Sequence, residues 1–311
     1  MPRRVRRSGL MMPVNTQRFV DASWRRNSDS LDYDLEDSVP QAQKDQARSV
    51  IPYAIQTGLK GGSEVSVRIN CAYVETDLEA SVWPGVSRIS HPKTETAEQI
   101  KKVDEIITRL ERERGIRPGT ISINAMIETT LGVVNSYEIA SSSPRIDSFS
   151  GGTGYDMSLD MGVEMFVGFD QFFYHRGEGA LIAMALGLER AGSVYMPDTT
   201  GSVGDADQTL VRAEANRKVG FRSGGGLHPN VVEPQNRGLT PLPEEVDDAR
   251  RVIAFFDEID KRGEVEGELD GRVVDTYEAD RAIELIEWAE ACARRDAEKT
   301  KAREEALATQ Q

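Results

Sequence analysis

Short apolar or β-branched runs alternate with longer helical patterns over roughly the first 230 residues, and few architectures accept that order. Strands are expected near 9–14, 30–35, 64–69, 88–91, 120–127, 148–152, 193–196 and 223–227. Helical patterns fall between them, at 16–25, 41–57, 95–114, 129–141, 178–191 and 205–219. Strand–helix alternation at this spacing predicts a parallel sheet with crossover helices. Eight such units predict an α/β fold, the TIM (β/α)8 barrel. An open doubly wound sheet ranks lower, because no Gly-x-Gly-x-x-Gly follows the first strand.

The barrel is expected over 1–240. A C-terminal helical extension over 241–298 follows, and it is expected to pack on a neighbouring subunit. It has a helix at 244–261 behind Pro243, an acidic, glycine-rich loop at 262–271 and a second long helix. The polar residues 299–311 read as a frayed tail.

The 52 acidic residues exceed the 38 basic ones, for a formal charge of −14. Phosphate backbones and anionic membranes are bound by clustered Lys and Arg, so neither nucleic acid nor membrane is an expected partner. No run of 18 or more apolar residues is present, and no apolar stretch follows the basic start "MPRRVRR". Cys71 and Cys292 have no metal-ligand spacing and read as free thiols of a reducing, cytoplasmic compartment.

In such barrels chemistry gathers at the C-terminal ends of the strands. The expected strands deliver there Asn15; Asp34, Glu36 and Asp37; Arg68; His91 and Lys93; Glu128; Asp156; Asp198; and His228. A carboxylate such as Glu128, ending the apolar run of "NAMIETT", either pairs locally or holds a cation. Glu128 and Asp156, one strand apart, suit Mg²⁺, which takes one or two protein carboxylates and keeps other positions open. Arg68 closes the strand "VSVRIN" and needs a partner. One candidate is an acid of "DYDLED"; the other is a substrate carboxylate, which a guanidinium grips with two bonds. Arg7 borders the first strand within reach of a phosphate. His228 reads more readily as structural than as catalytic.

The segments "DYDLEDSVPQAQKDQAR", "VRIN", "HPK", "AMIETTLGVVNSYEIA", "GGTGYDMSLDMG" and "GFRSGGGLHP" come in an order that resembles the citrate lyase β-subunit family, with its malyl-CoA and citramalyl-CoA lyases. The resemblance spans about residues 6 to 295. It implies a carbon–carbon lyase that cleaves or forms a 3-hydroxyacyl-CoA, with an acyl-CoA and a 2-oxo acid as the other reactants. Glu128 and Asp156 are then the ligands of Mg²⁺, or of Mn²⁺ in its place. Arg68 holds the oxo or carboxylate group, and Asp37 and Glu36 are acids beside it. Asp275, in "GRVVDTYEADRA", is similar to an acid/base aspartate lent to a neighbouring subunit, which implies a homotrimer or homohexamer. Arg7 resembles an arginine near the CoA phosphates, and Asn15 is grouped with it as a cofactor contact. The chain departs from the family pattern at Val14, Tyr155, Gly224, the "NVVEPQN" segment and Tyr277, mostly around the expected CoA and acyl pocket. Three other activities fit the same residues: a metal-dependent aldolase on free 2-oxo acids, a malyl-CoA-type thioesterase, and a non-catalytic CoA-binding barrel.

Overall fold

The computed structural model describes residues 4–151, 154–164, 172–191 and 204–309. From the amino terminus come β1 (Ser8–Pro13), α1 (Gln17–Ser23), β2 (Ser30–Asp34), α2 (Lys44–Leu59), β3 (Glu64–Arg68) and α3 (Val74–Ser81). Next are β4 (Arg88–His91), α4 (Ala97–Glu113), β5 (Ser122–Ile127), α5 (Thr130–Val134), α6 (Ser136–Ala140) and β6 (Ile146–Gly151). Then follow α7 (Tyr155–Asp160), α8 (Phe173–Leu186), β7 (Glu189–Arg190), α9 (Ala206–Lys218), β8 (Gly224–Gly226) and α10 (Val232–Gly238). Strands β1 to β7 pair in parallel with their sequential neighbours, and β1 also pairs in parallel with β8. A parallel bridge between Ala191 and Ser223 links the ends of β7 and β8, so the sheet closes into the expected TIM barrel.

Strand periodicity sorts the side chains. Leu31, Tyr33, Val65, Val67, Ile89, Ile123 and Ala125 are fully buried and share one hydrophobic core with the helices. Helix α4 shows how the outer layer reads from sequence. Thr96 and Gln99 form a reciprocal capping box at its start. Its buried Ile100, Val103, Ile107 and Leu110 recur at helical spacing and join that core.

The alternate residues face inward, and they are polar. Asp32 is 3.4 Å from Arg88, Arg88 bonds Ser148 at 3.3 Å, and Ser148 bonds Asn124 at 3.0 Å. Asn124 then reaches Ser90, which touches Ser66, each at 3.3 Å. This differs from the usual filling by bulky aliphatic residues. At the N-terminal end, the buried Arg6 closes the barrel through Glu64, Asp147 and Glu189 at 2.6–2.8 Å.

Several expectations change. The stretch expected as the seventh strand, 193–196, and Asp198 lie outside the described residues. Strand β7 lies instead at Glu189–Arg190, where a helix was expected to continue. Its inward Glu189 pairs with Arg6, so no apolar alternation announces it. The helix expected over 129–141 is two short helices, which part at Asn135.

The chain divides into two compact units, residues 1–239 with 299–311, and Thr240–Glu298. The second unit contains α11 (Pro243–Lys261), the antiparallel hairpin β9 (Glu266–Leu269) and β10 (Arg272–Asp275), and most of α12 (Thr276–Ala308). The hairpin replaces the expected loop. Asp270 and Gly271 both take positive φ, 52° and 79°, as a two-residue Asp-Gly turn requires. Among the described residues no helix is long and apolar enough to cross a membrane.

The tail is not frayed. Helix α12 continues to Ala308, and within the first unit Lys299 is fully buried. Its Nζ donates to Asp29 Oδ1 at 2.5 Å and to the Asn27 carbonyl at 2.9 Å. Arg7 donates to the same Asp29 carboxylate from its backbone N–H, Nε and Nη2 at 2.8, 2.9 and 3.1 Å. A charge removed from water persists only when paired and hydrogen-bonded. Asp29→Asn would leave Arg7 and Lys299 buried against a neutral amide. We expect it to cost roughly 3–5 kcal/mol in urea unfolding; an unchanged midpoint would show that this cluster contributes nothing.

Candidate functional site

The rim is built on the buried Asp34 at the end of β2. Its carboxylate accepts from the backbone N–H of Glu36 at 2.9 Å and of Ser38 at 3.0 Å, and from the Ser38 hydroxyl. Those bonds fold "DLEDS" into a tight turn. The same carboxylate grips Arg68, with Nε to Oδ1 at 2.7 Å and Nη2 to Oδ2 at 2.8 Å. Burial alone would raise the Asp34 carboxyl, but Arg68 and the turn donors outweigh it and hold it below the ordinary range. Lys44 supports the turn from below. Its buried ammonium donates to the carbonyls of Leu35 and Glu36 and to Asn70 Oδ1 at 2.6, 2.7 and 2.9 Å. Asn70 in turn donates to the Leu35 carbonyl and to Asp77.

Arg68 thus has its partner within "DYDLED", and its remaining Nη1 lies 2.9 Å from Glu36 Oε2. Glu36 is buried, and burial raises its proton affinity despite Arg68 and Lys93 beside it. Asp37 is mostly exposed.

Glu128 follows β5, and the two threonines after it organise what comes next. Thr129 caps α5 by accepting from the Gly132 N–H at 3.1 Å. Thr130 bonds Asp160 through its N–H at 2.7 Å and its hydroxyl at 2.6 Å. Asp160 belongs to α7, whose first turn carries Asp156, so this bond ties the two acidic segments together. The Glu128 carboxylate accepts from the Lys93 backbone N–H at 3.1 Å. Burial raises its proton affinity, and the negative charge of Asp156 raises it further.

Lys93 stands among these acids. Its Nζ bonds Glu36 and lies 3.3 Å from Asp37 Oδ2 and 3.2 Å from Asp156 Oδ1. His91 below is buried and bonded to the Thr94 hydroxyl at 2.8 Å; burial lowers its pKa to about 4, so it is neutral at pH 7. Cys71, in the same neighbourhood, is an exposed residue, but its thiol is half-buried where it donates to the Pro92 carbonyl at 2.8 Å, and that partial burial pushes it up to about 11.

The rim therefore gathers Asp34, Glu36, Asp37, Arg68, Lys93, Glu128 and Asp156, all of them residues the sequence places at strand ends; what the sequence left open is that Asp34 is the partner of Arg68 and that Lys93 joins Glu36, Asp37 and Asp156. Arg7 is not there. It is buried at the opposite, N-terminal end and saturates Asp29, so the expected phosphate contact is corrected. Asn15 sits at the end of β1. Its amide donates to Gln43, and its buried Oδ1 has no partner among the described residues. Asp275 belongs to the second unit, where it caps α12 by accepting from the Glu278 N–H at 3.0 Å. His228 is exposed and accepts from the Asn230 N–H at 3.2 Å, a capping role. Part of the glycine segment, 152–153, lies outside the described residues.

Among the described residues no three His, Cys, Asp or Glu side chains form a ready-made metal cage. The donor set still fits a hard dication. Five carboxylates, on Asp34, Glu36, Asp37, Glu128 and Asp156, meet two cations, Arg68 and Lys93. The surplus is negative, the donors are oxygens, and Mg²⁺ needs only one or two of them.

Residues 7–229 match the family described as HpcH/HpaI aldolase/citrate lyase. The chain is 30% identical over 291 residues to the citrate lyase subunit beta of Leuconostoc mesenteroides subsp. cremoris, covering 93% of this chain and 94% of that one. It is 28% identical over 306 residues to an L-malyl-CoA/beta-methylmalyl-CoA lyase of Cereibacter sphaeroides, covering 93% and 96%. The structure of CitE from Mycobacterium tuberculosis in complex with magnesium, acetoacetate and coenzyme A superposes with a TM-score of 0.70 at 24% identity, over 91% of this chain and 97% of that one.

Asp34 carries a measurable signature. Its lowered carboxyl contributes stability that is present above the unfolded-state value near ~3.9 and is lost as pH falls through the folded value. Asp34→Asn is expected to lose roughly 3 kcal/mol at pH 7 and to flatten this acid-side slope in urea titrations. Equal slopes in both proteins would contradict the assignment.

Proposed function

The chain belongs to the HpcH/HpaI aldolase/citrate lyase family, and from that premise we propose that it is a Mg²⁺-dependent carbon–carbon lyase acting on a 3-hydroxyacyl-CoA of the malyl, citramalyl or citryl type. The observation that carries this reading is the rim cluster. Lys93 meets both Glu128, through its N–H at 3.1 Å, and Asp156, through its Nζ at 3.2 Å, at the mouth that also presents a fixed guanidinium.

Glu128 and Asp156 would hold the ion, leaving positions for substrate oxygens. When bound, Mg²⁺ polarises the oxygen that becomes a carbonyl. Arg68 needs no reorganisation to act. Asp34 fixes two of its nitrogens, and Nη1, which also faces Glu36 Oε2 at 2.9 Å, would turn its other N–H to the carboxylate or oxo group of the substrate. In the cleavage direction, the carbinol O–H proton passes to a carboxylate of the cluster. The bond between the carbinol carbon and the carbon next to the thioester breaks. Its electron pair becomes the thioester enolate, and a 2-oxo acid leaves. Asp275 of a neighbouring subunit would protonate the enolate carbon, and would remove that proton in condensation. This assignment implies a homo-oligomer, a trimer or hexamer.

The test is condensation. Protein with Mg²⁺ and acetyl-CoA or propionyl-CoA is incubated with a panel of 2-oxo acids, and the products are read by mass. A new CoA ester, lost on adding EDTA, is expected. Glu128→Ala and Asp156→Ala should each lower turnover by about 10³-fold or more while the fold survives. Product formation insensitive to EDTA would end the metal assignment. Release of free thiol without a 2-oxo acid would indicate a thioesterase instead.

A further inference from the structure

Lys93 is the rim residue that the reaction above does not use, and its placement is unusual in two independent ways. First, its ammonium touches carboxylates from separate elements: Glu36 and Asp37 after β2, and Asp156 in α7. Second, its backbone is left-handed, with φ 45°. Few residues other than glycine take that conformation, and for an unbranched side chain it costs about 1 kcal/mol or more. Such strain persists where the surroundings over-determine it, and it concentrates at functional sites. Here the left-handed turn lets one residue serve the cluster twice. The N–H fixes Glu128 at 3.1 Å while Nζ lies 3.2 Å from Asp156. Those two acids are the ones assigned to the metal, and the side chain supplies a single positive charge between Asp156 and Glu36.

A lysine ammonium and a divalent cation compete for the same oxygens. Both are compact, strongly hydrated cations that draw carboxylate oxygens to themselves. Two cations held by one Asp156 carboxylate would repel each other within a few ångströms. We propose that Lys93 is an internal counter-ion of this cluster: it occupies Asp156 when no dication is bound, is driven off it onto Glu36 and Asp37 when one binds, and thereby sets the protein's metal affinity. This rests on the assignment of Glu128 and Asp156 as the metal ligands. Glu36 and Asp37 make the exchange feasible, because the displaced ammonium keeps two of its three partners without leaving the rim.

The role differs from that of a residue that merely braces the loop. A brace would weaken metal binding when removed. A counter-ion would strengthen it, because both the competitor and one positive charge disappear.

The experiment is a Mn²⁺ titration, with free Mn²⁺ read by electron paramagnetic resonance, on the intact chain, Lys93→Met and Lys93→Gly. The glycine variant adopts positive φ without strain and keeps the N–H to Glu128, so it isolates the ammonium even if the methionine variant folds poorly. Both variants should bind Mn²⁺ at least about tenfold more tightly than the parent. In parallel, amine acetylation of the parent is mapped by mass, and labelling of Lys93 should change when Mn²⁺ saturates the protein. Unchanged or weaker Mn²⁺ affinity in the glycine variant overturns the proposal while leaving the metal assignment standing. Lys93 labelling that is indifferent to saturating Mn²⁺ also overturns it. Absence of Mn²⁺ binding in all three proteins overturns both.

Discussion

Asp34 holding Arg68 is the contact on which the rest of the rim depends. One buried carboxylate fixes the guanidinium from the next strand and folds the turn that presents Glu36. Neither group would tolerate burial without the other. The pair sits where the inward-facing column of β2 and β3 ends, and register places Asp34 directly beside Arg68. Lys44, from the helix that follows, donates to the buried Leu35 and Glu36 carbonyls of the same turn. The segment "DYDLEDSVPQAQKDQAR" is therefore one physical unit: an inward acid, a turn, and a lysine one helical turn later that clamps it.

Charge organises both ends of the barrel in opposite ways. At the N-terminal end Arg6 and Lys299 are balanced by Glu64, Asp147, Glu189 and Asp29, and Arg7 shares Asp29. Arg6, Arg7, Asp29 and Lys299 are buried, Glu64, Asp147 and Glu189 half-buried, and together they close the structure. At the C-terminal end the acids outnumber the cations and are partly open to solvent. An excess of carboxylates is unstable by itself; burial and mutual repulsion raise Glu36 and Glu128 toward protonation. Lys93 relieves part of that strain, and a dication would relieve more. Structural and chemical acids differ here in whether their compensation is complete.

Much of this was legible in the sequence, and the failures share one cause. Barrel strands such as 64–68 and 122–127 are plain from their outward Val and Ile. Strand-end acids therefore pointed to the rim without coordinates. What pattern reading missed were positions where polar residues do structural work. Glu189 hid β7, because a strand with an inward glutamate carries no apolar alternation. The Asp270–Gly271 turn hid a hairpin inside an acidic stretch that reads as a loop. Lys299 made a polar tail look frayed, although its charge is consumed by Asp29. Arg7 was misplaced for the same reason: a buried, saturated guanidinium and a ligand-binding one look identical until their partners are known. Asp275 belongs to a separate unit, so its part in the reaction rests on the resemblance and not on the rim geometry.

The central claim is that Glu128 and Asp156 share one divalent cation at the barrel mouth. Crystals grown with Mn²⁺ and measured at its absorption edge test it directly. An anomalous peak within bonding distance of both carboxylates, with Lys93 Nζ withdrawn from Asp156, is the predicted result. A peak elsewhere, or Lys93 still seated on Asp156 beside an occupied site, would contradict it.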